Sequence, residues 1–162
     1  MGTLSKGLGA CGGYLAGNKP LIEYLKYTLP GFIFSVGLSP ALAAAALESI
    51  RMIRKDNSPV RQLQENIRCF VSKAKGMGFN LCKAGESAIV PILIGKDDCA
   101  FALSAALLER GIFVPPAVYP AVPINTARLR FCLTSCHTGD QIEHTLEALQ
   151  ELADTMNIAL PG

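Results

Sequence analysis

The 162-residue sequence predicts an α/β chain whose C-terminal part is an α+β domain, an antiparallel sheet covered by helices. Three observations lead to that class. Apolar residues recur at helical spacing through residues 40–76. A compact apolar run at 89–94 and a strictly alternating one at 128–133 read as strands. Helical patterns lie between those two runs and after the second.

Taken in order, residues 12–17 (Gly-Gly-Tyr-Leu-Ala-Gly) predict a short strand bounded by glycines. Ser39-Pro40 supplies a hydroxyl N-cap and a proline at the first helical position, and the alanine-rich run to Lys55 is strongly helical. Asp56-Asn57-Ser58-Pro59 breaks that helix and starts another by the same device. Leu63, Ile67, Phe70, Val71 and Ala74 give the second helix its apolar face, and Gly76 or Gly78 ends it. Pro91 inside the run 89–94 marks an edge strand, since proline cannot donate to a ladder. Asp97 or Asp98 is expected to cap a helix running to Glu109, stopped by Gly111. Ile112-Phe113-Val114 is expected as a brief strand. Residues 115–125, with four prolines and no periodicity, are expected as a stiff loop. In the strand that follows, Arg128, Arg130 and Cys132 share one face, and Leu129, Phe131 and Leu133 share the other. Thr138 with Gln141 predicts a capping box, and Ile142, Leu146, Leu149, Ala153 and Met156 stripe the last helix.

Composition narrows the function classes. Half of the residues are apolar and 17% are charged, below the usual share of about 25%, which predicts surfaces that meet a partner. A net charge of +2 and the lack of a basic run with interleaved aromatics speak against nucleic acid. The longest apolar stretches fall short of the roughly 18 residues a membrane helix needs, so no membrane span is expected. Residues 1–6 lack the apolar core of a signal peptide. The expectation is a cytoplasmic protein. The six cysteines, Cys11, Cys69, Cys82, Cys99, Cys132 and Cys136, form no Cys-x-x-Cys pair. Even with His137 beside Cys136 there is no second pair of ligands, so buried reduced thiols and no metal site are expected.

The chemistry concentrates at the start of the chain. Thr3-Leu4-Ser5-Lys6-Gly7-Leu8-Gly9 sets two hydroxyls and a lysine ahead of a run of glycines. A lysine that forms a Schiff base must be neutral near physiological pH. Hydroxyls and backbone N–H groups beside it can hold a phosphate dianion, and glycines let the backbone approach a flat cofactor. Two other motifs use similar letters. Gly7-Leu8-Gly9-Ala10-Cys11-Gly12 matches the dinucleotide fingerprint, which needs a strand just before it and a helix just after. Only six residues precede it here, and the segment after it reads as extended. A P-loop needs Lys-Ser or Lys-Thr after its second glycine, and Leu8 follows Gly7 instead.

The motif Thr-Leu-Ser-Lys-Gly-Leu-Gly, with Gly-Gly-Tyr-Leu-Ala-Gly after it, resembles the lysine motif of the α-oxoamine synthases, enzymes that use pyridoxal 5'-phosphate (PLP). Three further blocks resemble that family in its own order: Gly31-Phe32-Ile33-Phe34-Ser35 with Leu38 and Pro40, Tyr119-Pro120-Ala121-Val122-Pro123, and Arg128-Leu129-Arg130 leading to His137-Thr138. The resemblance implies the small domain of a fold-type-I PLP enzyme over residues 58–162, preceded over 1–57 by a remnant of the large PLP-binding domain. It implies that Lys6 is the Schiff-base lysine and proton shuttle. Thr3, Ser5 and Lys6 would bind the cofactor, and Ser35 would lend its hydroxyl to the phosphate site of a neighbouring subunit in a homodimer. Arg130 would grip the amino acid's carboxylate, while Arg128 reads as a solvent-exposed or ion-paired structural residue. Cys11 reads as a small core residue, His137 as a capping or packing residue and His144 as solvated.

The implied reaction condenses an amino acid with an acyl thioester, acyl-CoA or an acyl carrier, to give an aminoketone. Two alternatives stand beside it: another fold-type-I PLP enzyme such as an aminotransferase, or a non-catalytic partner subunit. Two positions depart from the family pattern, Asn125 where a glycine is usual and Gly7 where alanine is common. Asparagine tolerates the left-handed conformation, so the turn at 125 is expected to survive. The family's pyridine-nitrogen aspartate and ring-stacking histidine have no counterpart here, and the isolated chain is expected to be inactive.

Overall fold

The computed structural model describes residues 1–84 and 87–161. Two compact units divide the chain, Met1–Asn57 and Ser58–Gly162. The first opens with β1 (Gly2–Thr3) and β2 (Gly13–Tyr14), antiparallel with Gly2 opposite Tyr14 and Thr3 opposite Gly13. Only two residues of the expected strand at 12–17 join this ladder. Then come α1 (Lys19–Thr28), the single turn α2 (Pro30–Ile33) and α3 (Pro40–Lys55). Ser39 Oγ accepts from Leu42 N at 3.4 Å, the cap its sequence predicts. Helices α1 and α2 were not among the expected elements. The Asn18 side chain caps α1 by accepting from Leu21 N at 3.1 Å, with proline in the first turn. Ten residues are too few for periodicity to separate helix from buried strand, and that cap is the signal that could have found it. The unit has a small core: Leu4, Ala10 and Ala46, with Leu8 against them.

The second unit holds α4 (Ser58–Gly76), β3 (Ile89–Gly95), α5 (Asp97–Glu109), β4 (Pro116–Ala117), β5 (Ala127–Cys132) and α6 (Gly139–Thr155). Its sheet runs β3-β5-β4, antiparallel throughout, so β3 is an edge strand, as Pro91 demands. Helix α5 packs on β3 and β5, and α6 packs on α4 and α5. All three helices contribute to one core that includes Ile67, Phe70, Val90, Ile92, Leu103, Leu107, Leu129, Leu146 and Leu149. Alternation along β5 is clean: Ala127, Leu129 and Phe131 are buried, Arg128 is half-buried, and Arg130 and Cys132 are exposed. The Thr138–Gln141 capping box forms in both directions, at 3.2 and 3.0 Å. Ile142, Leu146, Leu149 and Ala153 are buried, whereas Met156 lies at the C-cap and is exposed.

Three expectations are corrected. Residues 112–114 form no strand, and pairing with β5 begins instead at Pro116–Ala117, inside the stretch expected to be a loop. The cause is anchoring to α5: Ile112 N donates to Leu107 O at 2.9 Å, and Ser104 Oγ donates to Val114 O at 2.7 Å. Prolines are tolerated in β4 because it is an edge strand. Second, the N-cap of α5 is Lys96, which makes no side-chain cap bond. Asp97 and Asp98 fall in the first turn, where their charge still suits the helix dipole. Third, the reduced cysteines are not buried: Cys11, Cys82, Cys132 and Cys136 are exposed, and Cys69 and Cys99 are half-buried. Apolar neighbours in sequence do not bury a residue that alternation places outward, as at Cys132. Among the described residues, no helix is long and apolar enough to cross a membrane, and no group of three or more His, Cys, Asp or Glu residues is arranged to hold a metal ion.

Candidate functional site

Lys6 lies in the loop between β1 and β2. Leu4 N donates to Gly12 O at 2.9 Å, Ala10 N to Leu4 O at 2.9 Å and Gly9 N to Lys6 O at 3.0 Å, so the backbone folds tightly back on itself. Gly9 has φ +61°, a left-handed conformation that glycine adopts without cost. A side chain added at Gly7 would meet nothing within 4 Å, so the backbone next to Lys6 is open to a flat ligand. Two devices fasten the loop to α3. Leu4 and Ala10 pack with Ala46, and Ser49 Oγ donates to Leu8 O at 2.9 Å. Ser49 went unnoticed in the sequence; its signal is a hydroxyl three residues after Ala46, on the same helix face.

The Thr3 and Ser5 hydroxyls are hydrogen-bonded to each other at 2.7 Å, and Thr3 Oγ1 also donates to Gly12 O at 3.3 Å and accepts from Ser5 N at 3.2 Å. Thr3, at the end of β1, and Ser5 and Lys6, in the loop after it, are therefore exposed side by side, while Leu4 between them points into the core. Cys11, expected as a core residue, is exposed and lines a cavity of about 860 Å³ with Tyr14, Leu25, Phe32 and Leu42. Ser35 follows α2, with its Oγ donating to Phe32 O at 3.3 Å. It lines that cavity and also a smaller one of about 520 Å³, where Lys26 accompanies it. Lys6 itself lines neither, whereas Cys11 and Gly12 of its loop line the larger cavity together with Ser35.

Arg130 stands in the second unit, on the β5 face opposite the core, exposed and with no ion pair among the described residues. Its planar donors are available to a carboxylate. Arg128, on the same face, is engaged: Nε and Nη2 each donate to Thr126 O at 3.1 Å, and Nη2 reaches Thr126 Oγ1 at 3.3 Å. It is neither solvent-exposed nor ion-paired among the described residues, which corrects the expectation for it. His137 is tied locally, its Nδ1 accepting from Thr134 N at 3.3 Å, and His144 is exposed on α6. Asn66, a buried polar residue unremarked in the sequence, donates to Thr134 O and His137 O at 2.9 and 2.8 Å and so holds the turn that precedes α6.

Comparison with known proteins matches residues 1–149 to the family model described as aminotransferase class I and II. The chain is 39% identical over 158 residues to an 8-amino-7-oxononanoate synthase of Thermoanaerobacter pseudethanolicus and 40% identical over 158 residues to 8-amino-7-oxononanoate synthase 1 of Bacillus velezensis. Each alignment covers 98% of this chain and 40% of the relative, so the chain spans about two fifths of their length. Among solved structures, a serine palmitoyltransferase from S. paucimobilis with PLP–myriocin bound superposes with a TM-score of 0.85 at 31% identity, covering 98% of this chain and 40% of that one. The Sphingomonas wittichii serine palmitoyltransferase gives 0.84 at 30% identity, covering 99% and 40%.

Proposed function

The chain belongs to the aminotransferase class I and II family, and on that premise we propose that it supplies the lysine and the carboxylate-binding arginine of a PLP-dependent acyltransferase, which condenses an amino acid with an acyl thioester to give an aminoketone. One observation carries the reading: an exposed lysine in a tight glycine loop, preceded by two mutually bonded hydroxyls and pinned to a helix. The relatives named above, 8-amino-7-oxononanoate synthase and serine palmitoyltransferase, support this chemistry over plain amino-group transfer.

The residues present suit the cofactor. Thr3 and Ser5 offer hydroxyls to a phosphate, Lys6 offers an amine to an aldehyde, and the open space beside Gly7 admits a ring. Bound PLP would supply an electron sink that makes the proton at the amino acid's α-carbon removable. Arg130 would hold the carboxylate bidentately and so fix which α-substituent faces the base. Lys6 Nζ would take the α-proton and later return one. The overall change would join the α-carbon to the thioester's carbonyl carbon with the thiolate leaving, and loss of CO₂ from the resulting β-keto acid would give the aminoketone.

In this reading Met1–Asn57 is part of a larger cofactor-binding domain and Ser58–Gly162 is the small domain. Ser35 serves the phosphate site of a second copy in a homodimer, a role its exposure permits. Tyr27, Phe34 and Val36, strongly exposed around it, are apolar surface suited to such an interface. The test is direct: incubate the protein with PLP, reduce with borohydride and map the adduct by mass spectrometry. A phosphopyridoxyl group on Lys6, absent in Lys6→Ala, is expected. Equal labelling of other lysines, or an unchanged adduct yield in Lys6→Ala, would sink the proposal.

A further inference from the structure

We propose that Arg128 is a positioning residue: it clamps the turn 123–126 that leads into β5 and thereby sets the strand end from which Arg130 projects. For the ligand that Arg130 would bind, this inference rests on the function proposed above. The geometry is local and specific. Ala117 and Arg128 are the last paired residues of the β4–β5 hairpin before the loop, so Arg128 stands at its neck. Within the loop, Thr126 N donates to Pro123 O at 3.1 Å and Thr126 Oγ1 to the same oxygen at 2.7 Å, closing a turn over Ile124 and Asn125. Asn125, with φ +60°, supplies the left-handed residue this turn uses. Arg128 then donates twice to Thr126 O and once to Thr126 Oγ1. One guanidinium plane thus ties the far leg of the loop to the strand that continues into Leu129 and Arg130. The strand before the loop is held independently, through the β4–β5 pairing and Arg130 N, which donates to Pro115 O at 3.0 Å.

The two arginines of one strand face therefore divide the work. Arg128 has Nε and Nη2 committed to Thr126, whereas Arg130 has its donors free of other residues in the described structure. A lysine at 128 would keep the charge and lose the clamp, because an ammonium on a flexible stem cannot meet carbonyl and hydroxyl in one plane. Thr126→Ser would keep both acceptors.

The experiment uses the whole 162-residue protein labelled with ¹⁵N, comparing wild type, Arg128→Lys and Thr126→Ser by backbone amide exchange, the Nε–H resonance of Arg130 and the thermal unfolding midpoint. In Arg128→Lys, amide exchange in the turn at Ile124–Thr126 is expected to accelerate about tenfold or more, as for a locally released turn, with the Arg130 resonance displaced and the midpoint held. Thr126→Ser should match wild type. Wild-type exchange and an unmoved Arg130 resonance in Arg128→Lys would overturn the assignment. So would a lowered midpoint with faster exchange throughout the second unit, which would make Arg128 a general stabiliser. Absence of a reducible PLP adduct on wild-type Lys6 would defeat the functional reading separately, leaving these measurements to decide on Arg128.

Discussion

Asn125 shows how much one residue's backbone can reveal. Its φ of +60° lies where β-branched residues fit worst and where glycine and asparagine fit best. Asn125→Gly should leave stability within about 0.5 kcal/mol of wild type. Asn125→Val should cost about 1–2 kcal/mol, read by urea denaturation, because a β-branched side chain is strained there. The tolerance was legible in the residue type; the bonds that make the turn were not, since they run from Thr126 and Arg128 to backbone oxygens that composition does not mark. A charged pair gives a second test at this scale. Arg110 Nη1 donates to Glu151 Oε2 at 2.7 Å, and that hydrogen bond, followed by the attraction between the charges, holds the Glu151 carboxyl below its ordinary pKa. Its contribution is therefore present above the ordinary glutamate pKa and lost as pH falls through the depressed one. The stability gap between wild type and Arg110→Gln should shrink on acidification below about pH 4, followed by urea midpoints across pH.

Among the elements, α6 was the most legible, because its start and its buried stripe are both local signals. Thr138→Ala removes the side chain that accepts from Gln141 N and should cost about 1 kcal/mol. Leu146 is fully buried where α6 meets the core, so Leu146→Ala should cost about 2–5 kcal/mol, measured by the same unfolding assay. Helix α3 was equally plain, with Ser39 and Pro40 at its start. Helix α1 shows the limit of such reading: its cap is as good and Leu21, Tyr24 and Leu25 fall at helical spacing, but ten residues give that periodicity too little length to stand out. Strand β4 shows the opposite limit. Two ladder residues, one of them proline, are defined by their partners Leu129 and Arg128 rather than by their own preference.

At the scale of the molecule the two units differ in kind. Ser58–Gly162 buries a continuous core drawn from three helices and a sheet. Met1–Asn57 buries only Leu4, Ala10 and Ala46 among its apolar side chains and leaves Tyr27, Phe34 and Val36 in solvent. Local opening is cheapest where few apolar contacts resist it. Brief proteolysis should therefore cut first within residues 1–57 and leave a resistant fragment beginning near Ser58, identified by intact mass. Resistance in both units alike would contradict this.

By itself the sequence determined the class of the chain, the helices with strong caps and stripes, and the central strand, and it singled out Lys6 and Arg130 as the residues proposed to carry chemistry. Each of these is written in short-range terms: spacing, cap, or the chemistry of one side chain. Only the tertiary structure decided that Ser49 and Ala46 seat the lysine loop, that β4 pairs where a loop was expected, and that among the described residues Arg128 is engaged while Arg130 has no ion-pair partner. The Arg128 contact to Thr126 is local and set by side-chain conformation, while the first two share one physical reason. A hydrogen bond to a backbone oxygen, or a ladder partner more than ten residues away, depends on where the chain returns in space, and neither leaves a pattern in the order of the residues.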